Sequence, residues 1–135
     1  MDLHDLRILL DFGMVVLLWL VQRVIYPSFL ECSEKNLVVW HGTYVKRVGP
    51  IIIPMMFAQL PLVAWMTFQA PGLENIGALL CLLGCWLLTF GVSVPLHRKI
   101  ERGDTSRETL QSLVDTNWPR TTLWTVAFVL GLMSR

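Results

Sequence analysis

Charge is scarce in this chain. Charged residues fill 16% of its 135 positions, against about 25% in soluble domains. None occurs between Val48 and Phe68 or between Ile76 and Leu96. One domain of this length has too little interior to hide a 54% hydrophobic content from water, which argues against a soluble bundle. A formal net charge of +1 gives no overall attraction to nucleic acid. Cysteines are few as well: Cys81 and Cys85 stand four apart on one helix, and Cys32 has no evident mate, so no disulfide framework is implied. The zinc patterns H-E-x-x-H and C-x-x-C are missing. The first apolar run follows Asp2 and Asp5 and lacks a small-residue cleavage site, so it reads as a retained helix.

What is abundant is apolar sequence in lengths that cross a bilayer, which takes about 20 residues. The pattern predicts an all-α, polytopic membrane protein: a single four-helix antiparallel domain with spans at about 6–26, 34–68, 74–99 and 105–133. The second helix starts near Ser33, because Leu37, Trp40, Tyr44 and Val48 recur at helical spacing. Pro50, Pro54 and Pro61 should bend it, and Pro119 should kink the fourth, since proline removes a backbone hydrogen bond. Thr105-Ser106-Arg107-Glu108 reads as a capping box opening the fourth helix.

Basic residues are distributed unevenly. Arg23, Lys35, Lys46, Arg47, Arg98, Lys99, Arg102, Arg107 and Arg120 map to one side, and Arg7 and Arg135 to the other. The positive-inside rule puts the basic loops in the cytosol and both termini outside, in a bacterial cell the inner membrane. Gly77, Cys81, Gly84, Cys85 and Gly91 give the third helix a small-residue face suited to close packing, within the bundle or across a homodimer. A faint repeat pairs Tyr26-Pro27 with Val94-Pro95 at the ends of spans one and three.

This connectivity brings distant polar residues to one depth: Gln22 and Arg23, Trp40, His41 and Tyr44, His97, and Asn117, Trp118 and Arg120, with Glu108 and Asp115 approaching from the same end. Polar groups near hydrocarbon are costly unless paired, so their convergence marks a candidate site. His41, His97 and Arg120 are the candidate catalytic residues: His41 as base or proton shuttle, His97 as second proton carrier, and Arg120 holding negative charge. Tyr44, Asn117, Trp40 and Trp118 are the candidate ligand-orienting residues. A plainer reading stays open, with the tryptophans in an interfacial belt and the arginines snorkelling to phosphates. His41 and His97 on opposing helices also permit bis-His ligation of haem, so an electron carrier is one alternative. A non-catalytic subunit docking a partner or anionic lipid is another. Asp11 lies near the opposite face, and Gln59 is its one plausible hydrogen-bonding neighbour.

Val94-Pro95-Leu96-His97 followed by Asn117-Trp118-Pro119-Arg120-Thr121 resembles the anthrone-oxygenase-like family of small four-helix membrane proteins. The likeness covers about the last 45 residues and the four-span plan, with His97 standing where the family pattern has Asn. It implies oxidation of a hydrophobic aromatic without a bound organic cofactor, and hence an oxidoreductase with a lipophilic ligand.

Overall fold

A computed structural model describes residues 2–134; Met1 and Arg135, and with it one of the two basic residues assigned to the outer side, fall outside the described residues. The described chain is all helical. Four rods follow one another: α1 (Leu3–Glu31), α2 (Glu34–Gln69), α3 (Leu73–Glu101) and α4 (Arg107–Met133). Two- to five-residue connections force successive rods to run antiparallel. Each rod packs on its neighbours in sequence, and α4 closes the ring against both α3 and α1.

The first three rods are long and apolar enough to cross a membrane. At about 1.5 Å per residue, α1 and α3 are each about 44 Å long and α2 about 54 Å, beyond a hydrocarbon core of about 30 Å. The fourth is long enough but less apolar, because it supplies much of the buried polar interior: Thr109, Asn117, Arg120 and Thr121 all face inward. Large apolar side chains on the outer surface of every rod, among them Phe12, Phe57, Leu87 and Val129, are exposed.

The helices depart from α-helical geometry in two places, and neither is at the prolines singled out above. α2 runs unbroken through Pro50, Pro54 and Pro61, and α4 through Pro119. All four prolines sit on the exposed outer surface. The irregular turns are π-helical, Val21–Ile25 in α1 and Thr89–Ser93 in α3, where the N–H of Tyr26 reaches the Val21 carbonyl and that of Val94 the Thr89 carbonyl. Each lies just before a proline, Pro27 or Pro95. A proline ring clashes with the carbonyl four residues back, and here that carbonyl falls inside the widened turn. The repeat between spans one and three is therefore structural: the same π turn and the same proline recur at the same separation.

A π turn adds one residue and rotates everything beyond it by about 100°. The buried stripe of α1 shows the shift, stepping 11, 14, 18 and then 22, 26, 29. In α3 the inward sequence 78, 82, 85 continues through Ser93 towards His97 in steps of four.

Capping is local. Asp2 and Asp5 form a reciprocal capping box at the start of α1. α4 is capped by Ser106, whose Oγ accepts from the Thr109 N–H at 3.3 Å, one residue later than the box read from Thr105 and Glu108. Asp104 takes the place of the missing acid: it accepts from the Ser106 N–H at 3.1 Å and the Thr109 hydroxyl at 2.7 Å. Those bonds hold its carboxyl below the usual value.

The small-residue face of α3 is covered by α4 of the same chain. A Cβ on Gly77 would meet Leu130 at 3.0 Å, and one on Gly84 would meet Leu123 at 3.1 Å. Cys85 is buried with them, while Gly91 is exposed and faces open space. All three cysteines are free thiols.

Candidate functional site

Two polar clusters occupy opposite ends of the bundle. At the end carrying the loop Arg102–Ser106, α1, α2 and α3 bring three rings together. The Tyr26 hydroxyl and His97 Nε2 share a hydrogen bond of 2.9 Å, and His97 Nδ1 and His41 Nε2 share another of 2.7 Å. Tyr26, His97 and His41 thus form a continuous hydrogen-bonded chain with His97 in the middle. Phe29 packs edge-on against both His41 and Tyr44, with ring centroids 5.6 and 5.5 Å apart, and Tyr44 lies tilted to His41 at 6.4 Å. The π turn of α1 aims Tyr26 inward, and that of α3 turns Ser93 and His97 to the same side.

A second chain holds Arg120. Its Nη1 donates to Ser93 Oγ at 2.9 Å and to Asn117 Oδ1 at 3.1 Å. Asn117 Nδ2 donates to Gln22 Oε1 at 2.9 Å, and Gln22 Nε2 to the Val114 carbonyl at 3.1 Å. The guanidinium also lies 5.7 Å from the centre of the fully buried Trp124 ring, within the usual reach of a cation–π contact.

Both chains meet at a cavity of about 270 Å³ between α2 and α3. Tyr26, Tyr44, Ser93, His97 and Arg120 form the inner part of its polar wall, and Thr89, Arg98 and Glu101 also line it. Val48, Ile52, Met56, Phe90 and Val94 are among its apolar lining. The two tyrosines of the chain are both in this wall. Ile53, Phe57 and Phe90 line the same cavity and are exposed on the outer surface, so it opens sideways between the two helices.

Of the residues expected at the site, His41, His97, Tyr44, Asn117 and Arg120 come together, with Gln22 beside them. Trp40 and Trp118 do not. They are 44% and 39% exposed, and Trp118 stacks edge-on against Trp19 with centroids 5.9 Å apart. Both belong to the outer surface and line no part of the cavity. Arg23, Glu108 and Asp115 are exposed too. Tyr26 and Ser93 are additions. Their inward aim depends on the π turns, which helical periodicity does not reveal.

The haem alternative does not fit this geometry. Metal–imidazole bonds of about 2.0–2.1 Å would set trans nitrogens about 4 Å apart with a macrocycle between them. Here the facing nitrogens are 2.7 Å apart and the imidazole rings 5.0 Å centre to centre.

At the other end, Arg7 and Asp11 form a buried ion pair at 3.4 Å, the one salt bridge among the described residues. Arg7 Nη1 donates to Asn75 Oδ1 at 2.6 Å and to Ser134 Oγ at 3.1 Å. Asp11 Oδ1 accepts from Gln59 Nε2 at 2.5 Å, and Trp124 Nε1 donates to Gln59 Oε1 at 2.9 Å. Gln59 is thus the neighbour of Asp11 that spacing suggested. Arg7, four residues away on the same helix, was the missed partner. The pair rests on Gly131, where a Cβ would come within 3.0 Å of Asp11 Oδ2 and 3.2 Å of Arg7 Nε. The cluster joins all four helices.

No family model, curated protein or solved structure matches this chain. Its class is therefore defined by its own geometry, an all-helical four-rod bundle with a side-opening cavity.

Proposed function

We propose that the chain is an integral membrane protein of four spans whose cavity binds a lipophilic small molecule entering from the hydrocarbon. The observation that carries this reading is the cavity: an apolar slot with one polar wall, open between two helices that are apolar enough to sit in lipid. Pockets with mostly apolar lining and a few convergent polar groups are the usual form of a small-molecule site. The exposure of Arg23, Lys35, Lys46, Arg47, Arg98, Lys99, Arg102 and Arg107 towards one end supports a cytosolic placement of that end. Gly103→Cys should then resist an impermeant thiol reagent added to intact cells and react after permeabilisation; labelling from outside reverses the orientation.

In this reading the Tyr26–His97–His41 chain as a unit exchanges a proton with the bound molecule, Tyr26 and His97 both standing in the cavity wall, and Tyr44 orients the ligand. Asn117 acts on Arg120 rather than on the ligand. Oxidation of a hydrophobic aromatic by dioxygen is the reaction that the anthrone-oxygenase-like resemblance implies, with dioxygen taking the electrons and the relay carrying the proton that the substrate releases. Photolabelling with an alkyl-diazirine amphiphile tests the binding. Adducts should concentrate on cavity residues such as Gly49, Ile53, Phe90 and Val94. An even spread over exposed positions remote from the cavity, such as Leu9, Phe12 and Leu83, would leave only lipid contact.

A further inference from the structure

Resting on that pocket, we infer that its ligand is a lipophilic monoanion, with an anionic oxygen head against Arg120 and an apolar body running out between α2 and α3. The bundle contains two buried arginines, and they are treated differently. Arg7 has Asp11 beside it. Arg120 is 3% exposed, and its bonds go only to the neutral side chains of Ser93 and Asn117. Its Nε makes no hydrogen bond within the chain, and its ring contact, Trp124, is neutral. Burying a guanidinium without a counter-charge is among the costlier arrangements in a protein. Glu101 is the one acid among the residues lining the cavity, but it is exposed and makes no ion pair with Arg120.

Arg120 lines the cavity itself, so a ligand bound there can supply the counter-charge that no acid of the described chain provides. A charge-assisted bond from a forked donor to an anionic oxygen is stronger than its neutral equivalent. The shape of the site sets the rest of the molecule. At about 270 Å³ the cavity lies just under the roughly 300–1,000 Å³ common for ligand pockets, enough for a head and the first part of a chain. Ile53, Phe57 and Phe90 at the opening would flank the remainder.

Equilibrium binding of radiolabelled laurate to the chain in phosphatidylcholine nanodiscs tests this, with dodecanol, dodecyltrimethylammonium and dodecyl methyl phosphate as competitors. Unlabelled laurate should compete at least about tenfold better than dodecanol, and the cation should not compete. Arg120→Gln should bring laurate and dodecanol within about threefold of each other. Where that variant does not fold, the comparison of anion and alcohol on the unaltered chain still decides. Stronger competition by the phosphate diester than by laurate keeps the monoanion and assigns its head to a phospholipid-type phosphate. Dodecanol competing as well as laurate overturns the charge assignment and leaves the pocket standing. No saturable binding of any of them overturns both.

Discussion

Arg7→Met should lower the stability of the folded chain in detergent by about 3–5 kcal/mol, the usual cost of stranding one member of a buried ion pair. The carboxylate left behind, Asp11, is 1% exposed and keeps only Gln59 as partner. Asp11→Leu should cost about as much by stranding Arg7. Combining Arg7→Met with Asp11→Leu should recover most of the loss, because an apolar pair of similar volume can replace a buried ion pair with little penalty. Recovery should stop short of complete: Gln59 Nε2 and Asn75 Oδ1 lose their partners, and each unsatisfied buried group costs about 1–3 kcal/mol. Unfolding of the four proteins by heat or by steric trapping measures the cycle. A double variant as unstable as the sum of the singles would mean that Arg7 and Asp11 act independently.

His97→Phe should abolish the proton chain while filling the space of the ring. Positioned acid–base groups contribute about 10²–10⁴-fold to rate, so turnover of a lipophilic aromatic should fall by that range, read as oxygen uptake by proteoliposomes. Affinity for the same molecule should change by less than about tenfold, since the apolar lining is untouched. The substitution also leaves the Tyr26 hydroxyl and His41 Nε2 without their bonds, so rates are compared per folded chain. Tyr26→Phe removes one of the two bonds to His97 and should have the smaller effect. Unchanged turnover in His97→Phe would leave the relay with a structural role alone.

Depth was legible in the sequence, and rotation was not. Antiparallel connectivity and a rise of about 1.5 Å per residue fix which residues share a level, which is why His41, His97, Asn117 and Arg120 could be grouped before any coordinates. Which way each side chain points depends on helix phase, and two π turns reset that phase within α1 and α3. Pro27 and Pro95 are visible in the sequence, but a proline alone does not reveal a π turn: Pro50, Pro54, Pro61 and Pro119 lie on the outer surface and leave α2 and α4 continuous. The inward aim of Tyr26 and Ser93 is hidden in the sequence for the same reason. Trp40 and Trp118 share the right depth and face outward, a distinction only the coordinates make. Arg7 was a different kind of miss. Its spacing of four from Asp11 is the ordinary helical ion-pair spacing, so the partner was readable. In the sequence it counts only as one of two basic residues on the outer side.

Native mass spectrometry of the chain released from nanodiscs most directly tests the claim that the cavity holds a lipophilic molecule drawn from the bilayer. Gly49 lines that cavity, and a Cβ there would meet only Ile53, at 3.8 Å, so Gly49→Phe can fill the space without a backbone clash. The unaltered chain should carry one lipophilic molecule that survives removal of bulk lipid, and Gly49→Phe should lose it while keeping its helical content. Equal retention by both proteins, or none by either, would contradict the account.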